Sequence, residues 1–111
     1  MTQSSTQSIT VRAKVRTLTL WFEDEEGNKI SEVVSGGTFY ICGEFLEDST
    51  PLSGENIHIY QTDSSGNPTN FIATVKTDTN GKFSCPTEAP SVSSDTDLYF
   101  GAYDDEQKPS I

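Results

Sequence analysis

The sequence predicts an all-β protein, folded as a two-sheet antiparallel β-sandwich of about seven strands. Short apolar runs recur along the 111 residues at roughly ten-residue spacing, with Gly- and Pro-containing turns between them, as in sandwich domains. No segment repeats apolar residues at i, i+3, i+4 and i+7 over the length of a helix. A chain of this length holds one modest core. We therefore expect one domain over residues 8–111, preceded by a flexible polar tail over residues 1–7.

The first predicted strand, within residues 9–22, changes its phase of alternation. Apolar side chains stand at odd positions over residues 9–15 and at even positions over residues 18–22. Because successive side chains of a strand point to opposite faces, this switch predicts a β-bulge, a strand divided between two sheets, or a strand whose first half belongs to a different partner.

The later strands are separated by turn sequences. They are expected over residues 29–34, 38–46, 56–61, 71–77, 82–85 and 97–103. The first of these follows the turn Glu26-Gly27-Asn28 and is a short edge strand, and residues 35–37 turn the chain into the next strand. Pro51 and Gly54 then mark the loop that leads to the third.

Two strands have distinctive faces. In strand 56–61, Ile57 and Ile59 are predicted to point inward and His58 and Tyr60 outward. The last strand is apolar on both faces, which is typical of a central strand.

Strand 71–77 should place Phe71, Ala73 and Val75 on one face. It leads into Asp78-Thr79-Asn80-Gly81, where Asn and Gly tolerate positive φ and the Asp carboxylate can cap the turn amides. A calcium loop is the alternative, but its glycine would stand five positions after the first Asp instead of three. The sequence therefore favours a hairpin turn.

Cys42 and Cys85 would be an obvious disulfide in a secreted sandwich, but strand parity places them on opposite faces. Counted from Ile41, Cys42 points outward, whereas Cys85, counted from Phe83, points inward. Opposite facings disfavour a disulfide. A bulge at Gly43 would reverse the parity and keep the bridge open as an alternative.

The chain is acidic, with a net charge of −10 that is unevenly distributed. Residues 1–22 contain three basic residues and no acid, and the rest carries all seventeen acids with four bases. Because the long-range field repels polyanions, nucleic acid and anionic membrane are disfavoured as partners. A protein partner is expected instead.

An N-terminal apolar signal sequence and an apolar stretch of membrane-spanning length are both missing from these 111 residues. Two explanations compete. The chain is either a domain of a larger secreted or cell-surface protein, or a protein that reaches the outside without a signal, as virion components do.

Four motifs carry a family resemblance. They are Gly-Gly-Thr-Phe-Tyr-Ile-Cys-Gly-Glu-Phe (36–45), Pro-Leu-Ser-Gly-Glu-Asn-Ile-His-Ile-Tyr (51–60), Thr-Asp-Thr-Asn-Gly-Lys-Phe (77–83) and the closing Gly-Ala-Tyr-Asp-Asp (101–105) with Pro109-Ser110. Together they resemble the Ig-like domain repeats of bacterial and archaeal surface proteins, and they are similar in pattern to carboxypeptidase-regulatory-like and transthyretin-like sandwiches. The resemblance covers about residues 35–110, whereas residues 1–34 depart from it. It implies an Ig-like fold and a spacer, stalk or adhesion module.

The candidate metal site is acidic. Asp104, Asp105 and Glu106, with Asp95 and Asp97 in reach, could bind Ca²⁺ weakly. The simpler interpretation is a solvated acidic loop, and no cofactor is expected.

Catalysis is not indicated. The single histidine, His58, stands at an outward strand position and is predicted to be a surface residue, and one His with one inward Cys cannot assemble a zinc site. No Ser-His-Asp set, carboxylate pair or phosphate-binding loop is recognisable, so we expect a protein that is not an enzyme.

Aromatic residues suggest a carbohydrate-binding alternative, since aromatic rings stack on sugars. The candidates are Trp21, Tyr40, Tyr60, Tyr99 and Tyr103. Sandwich cores contain such residues in any case.

The basic first strand is the most distinctive feature of the sequence. Its candidate interface residues are Ile9, Val11, Arg12, Lys14, Val15 and Arg16. The simpler expectation is an ordinary strand paired within its own sheet. Alternatively, residues 9–16 pair with the edge of a neighbouring copy, with the basic residues against acidic loops and the apolar ones in a groove. The protein would then be a subunit of a filament or virion.

Overall fold

The computed structural model describes residues 6–110, which contain eight strands and no helix. The strands are β1 (Arg16–Glu23), β2 (Lys29–Ile30), β3 (Thr38–Glu47), β4 (Thr50–Pro51), β5 (Asn56–Thr62), β6 (Pro68–Lys76), β7 (Lys82–Glu88) and β8 (Tyr99–Tyr103). All pairings are antiparallel and form two sheets, which confirms the predicted all-β two-sheet sandwich. The predicted tail, residues 1–7, lies mostly outside the described residues.

The first sheet is centred on β3. Strand β1 pairs with one edge of β3 and carries β2 on its far side, while β7 and then β4 pair with the other edge of β3. The second sheet has the order β6-β5-β8. The buried core between the sheets consists of Phe39, Ile41, Phe45, Ile57, Ile59, Phe83 and Cys85.

Strand β1 keeps one register against β3 along its whole length, from Arg16 opposite Glu47 to Glu23 opposite Tyr40. The predicted bulge, or division between two sheets, is therefore wrong. The phase changes because the core-facing residues end at Leu18. The next position on that face is Arg16, which lies where the two sheets open to solvent.

The two cysteines are free and face opposite sides of the first sheet, as strand parity predicts. Cys85 pairs with Ile41 of β3 and belongs to the core, whereas Cys42 pairs with Ser84 and faces outward. The register continues from Cys42 through Gly43 without a shift, so the bulge that a disulfide would have required does not form. Both thiols are buried.

Strand β8 lies at an edge of the second sheet, so its predicted central position is wrong. The central strand is β5. Residues on the outer face of β8 are apolar because they shield β5: the ring of Tyr103 packs edge-on against Tyr60 at 5.6 Å between centroids.

Strand β6 departs from simple alternation. Ala73 and Val75 pack on the core as predicted, but the register shifts between Ile59 and Tyr60 of the partner strand, which brings Phe71 opposite Tyr60. Phe71 therefore lies on the outer face, and the predicted common face for Phe71, Ala73 and Val75 is wrong. The local reason for the register shift is Ile72, an extra residue between Phe71 and Ala73 that has no partner on β5.

One turn design occurs three times. Asp24, Asp63 and Asp78 each accept backbone hydrogen bonds from the residues two and four positions later, at 2.8–3.0 Å. The residue three positions after each Asp is a glycine with φ between 73° and 88°. The predicted Asp cap at Asp78 is confirmed. Because this turn joins β6 and β7, which belong to different sheets, the predicted hairpin is wrong.

Candidate functional site

The segment that precedes β1 forms an arm, residues 6–15, that contains no strand. Ile9 and Val11 are 88% and 90% exposed, and Val15 is also exposed. The simpler expectation, that residues 9–16 pair within their own sheet, is therefore wrong for all but Arg16, where β1 begins.

The arm leads away from the sandwich. The Cα atoms extend over 84 × 29 × 21 Å, with a radius of gyration of 19.5 Å. A compact chain of this size has a radius of gyration of about 13 Å, and the ten residues of β3, the longest strand, span about 34 Å. An arm of ten residues spans at most about 33 Å when fully extended, which is long enough to explain much of the elongation.

Ionic and backbone contacts fix the base of the arm. The carbonyl of Val15 accepts a hydrogen bond from the Asp48 amide at 2.9 Å, and Arg12 Nη1 lies 3.0 Å from the Asp48 carboxylate. Lys14 and Arg16 both lie within ion-pair distance of Glu47, at 3.7 and 3.2 Å. Exposed ion pairs contribute little stability; here they link the base of the arm to Glu47 and Asp48.

Arg16 covers the open end of the core. Its guanidinium lies 5.6 Å from the ring centroid of Phe45, and its Nη1 lies 3.6 Å from Asp104. The hydrogen bond to Glu47 is the main cause of a raised pKa for Arg16. Arg16 thus joins the first sheet to the segment that follows β8.

A groove of about 610 Å³ opens between β1, β3 and β8 at this end of the sandwich. Its apolar floor includes Leu18, Phe45 and Ala102, and its rim is charged. The rim residues include Lys14, Arg16, Glu47, Asp104 and Glu106. The structure thus brings two of the three predicted basic residues, Lys14 and Arg16, and two of the predicted metal candidates to one groove.

Within the described residues, β8 pairs only with β5, so its other edge is free. This edge borders the groove, since Ala102 and Tyr103 line it. Free strand edges present unpaired N–H and C=O groups to any added strand. The sequence did not point to this edge, because residues apolar on both faces had suggested a central strand.

His58 is buried, so its prediction as a surface residue is wrong. Its outward position is correct, but outer-face residues of the flanking strands cover it. Nε2–H donates to Asp105 Oδ1 at 2.6 Å, and Nδ1 lies 2.8 Å from the Thr74 hydroxyl. This hydrogen bond from His58 is the main cause of a lowered pKa for Asp105.

The acidic metal candidates have other partners. Asp104 accepts a hydrogen bond from the Gln107 amide and pairs with Arg16, and Asp105 is held by His58 and Asn56. Residues 6–110 contain no group of three or more His, Cys, Asp or Glu side chains placed to hold a metal ion.

The five aromatic candidates do not form one platform. Register places Trp21 and Tyr40 on the outer face of the first sheet, whereas the three remaining tyrosines lie on the outer face of the second. Of these, Tyr60 is only 1% exposed. A sugar-stacking surface would need rings that are both exposed and adjacent.

Comparison with protein-family models, with curated proteins and with solved structures found no match. The resemblance to Ig-like surface domains therefore stays an expectation based on sequence motifs. Over residues 6–110, no helix has the length and apolar character needed to cross a membrane.

Proposed function

We propose that this chain is a non-enzymatic structural subunit that self-assembles outside the cell by placing its N-terminal arm on a neighbouring copy. The observation that carries this proposal is the exposure of Ile9 and Val11 on an arm that joins no sheet of its own chain. A filament or a virion shell is the kind of assembly such a contact would build. The wider role is that of a structural or adhesive module, as the resemblance to Ig-like surface domains implies.

Energetics support a docking role for the arm. Exposed β-branched residues gain about 1.5–3 kcal/mol each when fully buried, and an alternating strand can bury one whole face at once. Ile9 and Val11 gain none of this energy within their own chain, because both remain exposed. A neighbouring copy would supply the apolar surface that the arm's own sandwich does not.

The charge distribution also supports self-association over binding to an unrelated partner. The arm is basic and the body strongly acidic, so each copy carries both halves of a complementary pair. A carbohydrate-binding role is less well supported, because the candidate rings are split between two faces.

The test changes the apolar face of the arm in the full chain. Ile9→Asn with Val11→Asn removes the apolar side chains, and Ser8→Asn with Thr10→Asn is a matched control on the opposite face. All four positions are exposed, so both variants should melt at the wild-type temperature. Light scattering and electron microscopy then compare their assembly over a concentration series.

We expect the wild type and the control to form concentration-dependent oligomers or filaments, and the Ile9/Val11 variant to stay monomeric. A wild type that is monomeric at every concentration would overturn the proposal. Assembly of the Ile9/Val11 variant at the level of the control would do the same.

A further inference from the structure

The arm needs an acceptor, and the sandwich has several free strand edges. Two of them border the groove: β8, and β1 over residues 16–21, because β2 pairs only with Phe22 and Glu23. On the other side of the sandwich, the edges of β6 and β7 are also free within the described chain. Geometry alone does not choose among them.

Charge chooses β8. Arm residues 6–15 contain two basic residues, Arg12 and Lys14, and no acid, whereas residues 95–106, which include β8, contain five acids and no base. The groove edge of β1 carries Arg16 itself, and β6 and β7 carry the exposed Lys76 and Lys82. Because β1 and β7 also contain Glu23 and Glu88, those edges are close to neutral, and a basic strand is attracted most strongly to the acidic ends of β8.

From this we infer that the arm of one copy pairs as an additional strand with the free edge of β8 in the next copy. The inference rests on the proposed self-assembly and names the acceptor for it. With Ile9, Val11 and Ala13 turned toward the groove, the arm would cover Leu18 and Ala102, which are only partly buried in the single chain. Its opposite face, with Arg12 and Lys14, would then lie beside the acidic ends of β8, where the two residues would exchange their own-chain partners Asp48 and Glu47 for acids of the neighbouring copy.

Lengths agree with this pairing. Strand β8 has five residues, and the alternating part of the arm, residues 9–15, spans it with two residues to spare. The arm and β8 are different surfaces of one copy, so the contact is heterologous and repeats from copy to copy. One copy therefore donates at one surface and accepts at another, which gives open-ended growth.

Charge reversal and mixing test the inference. The arm-reversed variant carries Arg12→Glu and Lys14→Glu, and the acceptor-reversed variant carries Asp97→Lys and Glu106→Lys. Both acceptor positions are exposed, and neither belongs to the Arg16–Asp104 or His58–Asp105 pair. As a control, Glu25→Lys with Glu88→Lys raises the net charge by the same amount as the acceptor-reversed variant, at exposed positions away from β8.

Each reversed variant alone should associate at least about tenfold more weakly than wild type, because like charges then face each other. Mixing the two should restore association, since each arm again meets an acceptor of opposite charge. The Glu25/Glu88 control should associate as wild type does. Circular dichroism of each variant verifies that the fold is kept.

Two failures are distinguishable. If the wild type assembles and the Ile9/Val11 variant does not, but the acceptor-reversed variant assembles like the Glu25/Glu88 control, the β8 acceptor is wrong and the proposed function stands. Loss in both reversed variants without recovery on mixing also overturns the β8 acceptor. If the wild type never assembles, the proposed function itself fails.

Discussion

Nε2 of His58 lies 2.6 Å from Oδ1 of Asp105, and this hydrogen bond ties the centre of the second sheet to the segment that follows β8. The imidazole is buried and its other nitrogen contacts the Thr74 hydroxyl, so both ring nitrogens have partners. The Asn56 amide also reaches Asp105, at 3.4 Å. This small network fixes residues 104–106 beside the groove where we place the arm of a neighbouring copy.

The lowered pKa of Asp105 gives a prediction for acid stability. Its usual value is 3.8, and the hydrogen bond from His58 lowers it in the folded state. A carboxylate whose pKa is lower when folded contributes stability that is present above its unfolded pKa. That contribution is lost as the pH falls through the folded value.

Asp105→Asn should therefore flatten the fall in stability between about pH 5 and pH 3, measured as the urea midpoint at each pH. Part of the fall should remain, because backbone hydrogen bonds also lower the pKa of Asp24 and Asp63, chiefly from Asn28 and Asn67. Asp97→Asn, at an exposed position, is the control. An Asp105→Asn profile parallel to that of wild type would contradict the prediction.

Gly43 is required by close packing between strands. A Cβ atom at this position would lie 2.2 Å from Phe83 Cζ and 2.3 Å from the Thr19 carbonyl oxygen. Gly43→Ala should destabilise the fold by about 1–3 kcal/mol or more, because backbone and a packed ring must both move. Equilibrium urea unfolding measures the loss.

Gly66→Ala is the matched comparison. Nothing lies within 4 Å of its Cβ position, but its φ is 88°, so the cost is backbone strain alone, about 1–2 kcal/mol. Gly43→Ala should be the more damaging of the two substitutions. The reverse order would mean that the sheet adjusts at Gly43.

Ile41 lies at the centre of the core, between Phe22 on β1 and Cys85 on β7. It is fully buried, so Ile41→Ala should lower the free energy of unfolding by about 2–5 kcal/mol through lost burial and a cavity. Val34→Ala, at a residue that is 81% exposed, should change it by less than about 0.5 kcal/mol. Similar losses at both positions would contradict the placement of the core.

Thiol reactivity provides a chemical test of the fold. Burial is the main cause of a raised pKa for the Cys42 thiol, and Cys85 is buried in the core. A thiol reagent at neutral pH should react slowly with the native protein, because the reactive thiolate is scarce and shielded. In denaturant without reductant it should count two thiols, and a count of zero would indicate a disulfide.

Local patterns predicted much of this fold. Short apolar runs between turn sequences predicted seven of the eight strands, all but the two-residue β4. Their ends differ from the observed ones by a few residues, except that β1 begins at Arg16 instead of residue 9. Parity alone placed Cys42 and Cys85 on opposite faces, because facing in a strand depends only on counting along the chain. The Asp cap at Asp78 was also predictable, since all its partners lie within four residues.

Several predictions that depended on a strand's neighbours were wrong, although the edge position of the short strand β2 was predicted correctly. His58 is buried because Thr74 and Tyr103 stand opposite it on flanking strands, and the edge position of β8 depends on a pairing about forty residues away in sequence. The arm is the clearest case. Its alternation is that of a strand, yet no edge of its own sandwich pairs with it in the described chain. Alternation reports that a segment can pair with a strand edge, whereas the position of that edge is set by the packing of distant segments.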